Sequence, residues 1–211
     1  MTEPNNNNLF YMRLFNASPD SPALDIYINN KLYASNFKYK SFTQYFSGQP
    51  GTYNIQIYLA GNKNTLLINK NLDFYTNNIY TIALIGLYEL NTMNIDIIPD
   101  HSRTINKNYT YIRFINLSPT SNQIDIKLNN TLIISDLSYA TETDYLELAP
   151  KTYDLKIYLQ NTNQELLILQ NPKMLLSANK IYSGYIIGTY NQNSNAMQIL
   201  LPLEGATYIK F

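Results

Sequence analysis

Leu24-Asp-Ile-Tyr-Ile-Asn-Asn30 and Ile124-Asp-Ile-Lys-Leu-Asn-Asn130 stand one hundred residues apart and read as the same element twice. Leu24, Ile26 and Ile28 alternate with Asp25, Tyr27 and Asn29, and Ile124, Ile126 and Leu128 alternate with Asp125, Lys127 and Asn129. A period of two predicts a strand with one buried face. The Asn-Asn pair that closes each run suits a tight hairpin, because Asn tolerates positive φ at both central positions.

Working outward, the likeness continues. Tyr11-Met-Arg-Leu-Phe-Asn-Ala-Ser-Pro19 matches Tyr111-Ile-Arg-Phe-Ile-Asn-Leu-Ser-Pro119. Over residues 11–59 about 21 of 49 positions are identical at an offset of 100 without a gap. The offset then grows: Ile79-Tyr80 and Gly86 match Ile181-Tyr182 and Gly188, and Pro99 matches Pro202. A unit of roughly 95 residues is therefore present twice, a length that suits a small β-sandwich. Tyr53, Ile55, Ile57 and Leu59, with Tyr153, Leu155, Ile157 and Leu159, alternate in the same way and are expected to face a core.

Strands are predicted over 11–16, 24–29, 31–35, 42–46, 52–60, 65–72, 79–87 and 94–98, and again in the second copy. The expected fold is all-β: two tandem immunoglobulin-like antiparallel β-sandwich domains over 10–99 and 110–204. A disordered tail (1–9), a linker (100–109) and an extra C-terminal strand (205–211) complete the chain. The last rests on Thr207-Tyr-Ile-Lys-Phe211, which is similar to Thr110-Tyr-Ile-Arg-Phe114.

The composition narrows the function. Of 211 residues none is Cys or Trp and one is His, against 20 Tyr and 30 Asn. No His/Cys metal cage and no disulfide can form, and a nucleophile–His apparatus would rest on His101 alone. Lys and Arg number 15 and Asp and Glu 15, which argues against nucleic acid as a partner. Only seven glycines are present and none forms a phosphate-cradling motif. The carboxylates show no reproducible acid–base pair, so no catalytic residue, cofactor or metal is assigned. Neither a signal peptide nor an apolar run long enough to span a membrane is read in the sequence, so no membrane insertion is expected. The chain is expected inside the cell or on a spore, unless a leader has been removed.

Arg13-Leu-Phe-Asn-Ala-Ser-Pro-Asp-Ser-Pro-Ala-Leu-Asp-Ile-Tyr-Ile-Asn29, with Pro50-Gly51-Thr-Tyr-Asn-Ile55, resembles the opening run and the P-G-T-Y strand of the bacterial domain-of-unknown-function family 4397. The second copy departs at Thr120, Asn122, Lys127 and Lys151, and Asn16 and Asn116 stand where the family often has His. The resemblance implies a tandem β-sandwich, often in secreted or cell-surface proteins. Versions with two repeats and no leader are similar to proteins of spore-forming clostridia. It implies no activity.

Five candidate features remain. Arg13 with Asp25, and Arg113 with Asp125, are placed as structural ion pairs across neighbouring strands, or as an acidic- or sugar-ligand site. Asp20, in Ser18-Pro-Asp-Ser-Pro22, is a turn residue or a calcium ligand. Tyr53, Tyr153, Tyr80 and Tyr182 are expected to point inward with their hydroxyls on backbone. Tyr27, Tyr58 and Tyr158 are expected outward, as the candidate binding surface. His101 is read as a solvated linker residue. The function expected is a non-enzymatic structural or interaction module of a surface, envelope or spore layer, with a protein or surface glycan as partner and edge-strand addition as a route to oligomers. The alternative is a carbohydrate-binding module using the outward tyrosines. An enzyme would need a polar pocket at the domain junction.

Overall fold

The computed structural model describes residues 8–101, 104–121, 123–161, 164–190 and 195–210. It is all-β: short apolar runs between turn residues become strands, and among the described residues no helix is long and apolar enough to cross a membrane. The chain divides into two compact units, Met1–Ser102 with Tyr208–Phe211, and Arg103–Thr207.

The first unit holds β1 (Phe10–Asn16), β2 (Leu24–Ile28), β3 (Lys31–Phe37), β4 (Phe46–Gly48), β5 (Gly51–Leu59), β6 (Asn62–Phe74), β7 (Ile79–Ile85) and β8 (Asn94–Asp100). They form two sheets, in the orders β4-β1-β7-β8 and β3-β2-β5-β6. The second unit holds β9 (Thr110–Asn116), β10 (Gln123–Leu128), β11 (Thr131–Ser138), β12 (Thr141–Glu142), β13 (Leu146–Leu148), β14 (Thr152–Asn161), β15 (Gln164–Leu175), β16 (Lys180–Ile187) and β17 (Gln198–Leu200). Its sheets run β12-β9-β16-β17, with β13 also on β9, and β11-β10-β14-β15.

Each unit builds one apolar core from both of its sheets. In the first, Met12, Leu14, Ile82 and Leu84 meet Leu24, Ile26, Ile55 and Ile57. In the second, Ile112, Phe114 and Ile186 meet Ile124, Ile126, Leu155 and Ile157. These are the alternating positions of the sequence. The Asn29-Asn30 and Asn129-Asn130 turns have φ of 49° and 64°, and of 49° and 66°, the paired left-handed conformation that a two-residue hairpin requires.

Five expectations need correction. The sheets are not wholly antiparallel, because β1 runs parallel to β7 and β9 to β16. Period-two patterning fixes which side chains face the core, not the direction in which neighbours run. The strand order also departs from an immunoglobulin domain, where the second strand pairs with the first and fifth. Here β2 pairs with β3 and β5, and β1 lies between β4 and β7. The strand expected at 42–46 is β4 at 46–48, and Phe42 makes only an isolated bridge to Phe15. Thr43 takes over there: its backbone N–H donates to the Leu14 carbonyl and its hydroxyl accepts from the Leu14 N–H. That leaves Phe42 and Tyr45 to fold over Arg13.

The fourth correction is at the C-terminus. Gly205–Thr207 is a 3-10 turn, and no strand forms there among the described residues. The cause lies one residue earlier, where Glu204 is drawn into the interior by Arg113. Thr207 then fixes the turn by accepting from the Ile181 N–H and donating to the Ile181 carbonyl. Asp100, assigned to the linker by sequence, is the buried last residue of β8. Most of the expected N-terminal tail (residues 1–7) lies outside the described residues.

Candidate functional site

The motif residues shared by the two copies lie at one end of each unit, and the structure uses them on the backbone. Asn16, at the end of β1, accepts from the Ser18 N–H and donates to Ser21 Oγ and the Phe37 carbonyl. Ser18 Oγ donates to the carbonyl of Gly86, 2.9 Å away. Asn116, Ser118 and Gly188 repeat this, with Ser118 Oγ 2.8 Å from the Gly188 carbonyl. Gly86 (φ 84°) and Gly188 (φ 95°) lie in left-handed conformation, and a Cβ there would run into the carbonyls of Thr92 and Ala196.

Asp20 completes the loop. Its two carboxylate oxygens accept from the backbone N–H groups of Tyr88 and Glu89, at 2.8 and 3.0 Å. The turn reading of Asp20 therefore carries a definite partner. In the second copy the Thr120 hydroxyl accepts from the Tyr190 N–H at 2.7 Å, so threonine does the same work with one atom. Among the described residues no group of three or more His, Asp or Glu side chains is placed to hold a metal ion.

The tyrosines held in this way mark a cleft that sequence reasoning missed. In the first unit Leu67, Tyr88, Asn91 and Met93 line a recess of about 100 Å³. In the second, Leu166, Leu167, Ile168, Thr189, Tyr190, Ala196 and Met197 line one of about 300 Å³. Both lie on the seam beside the edge strand, β6 or β15. Each edge strand carries a bulge there: Ile57 faces Ile68 but Tyr58 faces Leu66, and Ile157 faces Leu169 but Tyr158 faces Leu167. Leu67 and Ile168 are the extra residues, and a bulge re-aims its side chain. The available signal was Tyr88 and Met93 following Gly86 as Tyr190 and Met197 follow Gly188, at offsets that drift past a fixed-period comparison.

Arg13 and Asp25 are not brought together. They lie on β1 and β2, which belong to different sheets, and the same holds for Arg113 and Asp125. Asp25 instead braces its own sheet, accepting from the Asn36 N–H at 2.9 Å and the Gly61 N–H at 2.8 Å, both residues having positive φ. Asp125 accepts from the Asp136 N–H and from Gln160. Each aspartate thus secures a bulge in β3 or β11.

The arginines are buried on the far side of β1 and β9 from the core. Arg13 Nε donates to Thr81 Oγ1, and its guanidinium lies 4.9 Å from the Phe42 ring centre and 4.8 Å from that of Tyr45. Tyr45 in turn donates to Asp100. Arg113 Nε pairs with Glu204 at 2.7 Å and Nη1 with Glu142 at 2.8 Å. Ser183 and Tyr145 donate to the two oxygens of Glu204. Burial works against the Arg113 charge, but Glu204 foremost, then Tyr145, Glu142 and Tyr185, outweigh it and hold the guanidinium above its ordinary range. Comparison of the two copies did not single out Glu204, because at the offset that matches Pro99 with Pro202 its counterpart is His101 and not a carboxylate.

The inward tyrosines stand as expected. Tyr53 and Tyr153 donate to the carbonyls four residues earlier, Gln49 and Ala149, both at 2.8 Å. Tyr80 and Tyr182 accept from the N–H groups of Tyr75 and Ser177. Burial raises the Tyr80 and Tyr153 hydroxyls above the usual phenol range. Of the outward set, Tyr27 is only 9% exposed, packs edge-on against Tyr58 at 5.4 Å, and has Lys63 Nζ over its ring at 4.2 Å. Tyr158 is half-buried under Lys127. Neither arrangement is a flat stacking platform. His101 is exposed between β8 and β9.

Fold and site together define an all-β protein of two repeats, each with its shared polar residues committed to its own loops. The family model described as "Domain of unknown function (DUF4397)" matches the chain over residues 10–127 and 110–206. The chain belongs to that family, as a two-repeat member. A search of the curated proteins finds no match.

Proposed function

We propose that the chain is a non-catalytic interaction module of two tandem β-sandwich units. They are immunoglobulin-like in layering but not in strand order, and they serve a surface, envelope or spore layer. One observation carries this reading: the polar loop and bulge residues at matching positions of the two copies end on the fold's own backbone. Asn16 and Asn116, Ser18 and Ser118, Asp20 and Thr120, and Asp25 and Asp125 hold loops and bulges. What both copies leave accessible is a recess whose lining, with Leu, Tyr and Met in each, carries no charge. A catalytic site spends its buried polar groups on a substrate, whereas an interaction surface presents an apolar centre.

Photo-crosslinking from positions 66 and 167 in the native cells tests it. A discrete protein adduct in the surface, envelope or spore-layer fraction is expected. A chain found wholly in vegetative cytosol without an adduct rejects the reading.

The rival reading is a carbohydrate-binding module. It draws on the amides further along the sheet that carries Tyr58, where Asn54 donates to both Asn69 and Asn71. Those amides satisfy one another and the Tyr27 face is covered, which weakens it. A glycan array with Tyr58→Ala and Tyr158→Ala separates the two: binding at millimolar glycan that both substitutions abolish favours the rival.

A further inference from the structure

We infer that the cleft of the second unit, with the edge of β15 beside it, seats a short extended polypeptide segment of a partner protein, carrying apolar residues at alternate positions. This rests on the interaction-module reading and names the partner's chemistry. The edge dictates the partner's backbone. β15 pairs with β14 on one side, and among the described residues no strand pairs with it on the other. A free strand edge is a row of main-chain donors and acceptors that only another extended chain satisfies along its length.

The side chains dictate the partner's sequence. None of the seven lining residues is charged. Leu166 pairs with Leu159, which packs on the core, so Leu166 points to the core side and is nevertheless 43% exposed. Leu167 pairs with Tyr158 on the opposite face and is 44% exposed. An added strand sends alternate side chains to those two faces. One set enters the cleft toward Ile168 and Met197, and the other lies over Leu167 and Tyr158. Pro172 and the bulge at Ile168 keep the paired stretch short, so the edge takes a segment and does not start an open sheet.

The first unit is the built-in control. It has the same bulge, tyrosine and methionine. Thr65 precedes its outward leucine where Leu166 does in the second, and its edge strand β8 has seven residues where β17 has three. Lys70 also reaches across the seam to Asn94 at 2.8 Å. Its recess is correspondingly smaller.

The test uses the full chain and an array of synthetic peptides with Leu, Ile, Phe or Met at alternate positions, against peptides of the same composition in block order. Alternating peptides are expected to bind, with slowed amide exchange in β15 and none in β6. Leu166→Glu and Leu167→Glu, both at exposed positions, are expected to weaken binding about tenfold or more, and Thr65→Glu to leave it unchanged. Melting curves confirm that each variant is folded. Equal binding of block peptides, binding indifferent to Leu166→Glu, or protection elsewhere overturns the inference. So does uptake of a small apolar dye that no peptide displaces. Failure here with a crosslinked partner in cells leaves the broader reading standing, whereas absence of both removes it.

Discussion

Arg13 and Arg113 occupy the same place in their units, and different side chains have been gathered around them. Position 42 is Phe beside Arg13, whereas position 142 is Glu beside Arg113. In the first unit two rings flank the cation, Phe42 and Tyr45, with Thr81 accepting from it and Tyr45 donating to Asp100. In the second, a fully buried charge is answered by two carboxylates, and the C-terminal turn is built around one of them. The same backbone thus tolerates two solutions to one problem, a cation on a strand face that the following loop covers. In the first unit the ring faces of Phe42 and Tyr45 add cation–π contact to the Thr81 hydrogen bond. A buried ion pair holds the cation firmly but fails badly when half of it is lost.

The largest expected break in this comparison is Glu204→Gln. Arg113 then keeps its charge and loses its closest partner, at a cost of about 3–5 kcal/mol. Calorimetry is expected to show the second unit melting well below the first. The first-unit counterpart, Tyr45→Phe, removes one hydroxyl contact to Asp100 and is expected to shift its transition far less.

Next in size is Asp25→Ala, which leaves the N–H groups of Asn36 and Gly61 without their acceptor and is expected to cost about 1–3 kcal/mol in urea unfolding. Asp125→Ala strips one backbone N–H and is expected to cost less.

Tyr153→Phe removes the bond to the Ala149 carbonyl, worth about 1 kcal/mol. It also changes the alkaline limb. Burial raises this hydroxyl, so the folded state keeps its proton at pH values where the unfolded chain has lost it. That contribution is complete below the ordinary phenol value of about 10 and disappears as pH rises through the folded one. The variant is therefore expected to lose stability less steeply above pH 10, read from melts in a pH series.

Smallest is the exchange of Asp20→Thr with Thr120→Asp, expected to move either unit by about 0.5 kcal/mol or less, since each residue caps the same N–H in its own loop. A larger effect would mean that the second carboxylate contact, to Glu89, carries the difference.

Strands, hairpins and core were legible because they are local. Alternation marked Ile26 and Ile126, and positive φ at Asn29 and Asn129 follows from the residue type. The buried tyrosines were legible as well, for a phenol ring in an inward position needs a backbone partner. Direction and order were not legible, because pairing β1 with β7 joins segments that share no local pattern. The ion-pair partners were missed for the same reason. Arg13 and Asp25 look adjacent in sequence, yet the loop between them passes from one sheet to the other. The cleft escaped notice because its residues come from a bulge and a loop, neither of which has a period.

The parallel pairing of β1 with β7 also has a consequence for biogenesis. The first strand to leave the ribosome in each repeat waits for one made almost last, Tyr11 for Ile79 and Tyr111 for Ile181. Contacts so distant along the chain slow folding and lengthen the time an apolar strand spends without its neighbour. In a tandem chain a rival neighbour is then at hand, because β7, made before β16, offers β9 nearly what β16 does. Mutual exchange of closing strands is the misfolding hazard of this architecture. The divergence of the two copies, with Phe at position 42 in one and Glu at position 142 in the other, gives each β1-type strand a reason to wait for its own.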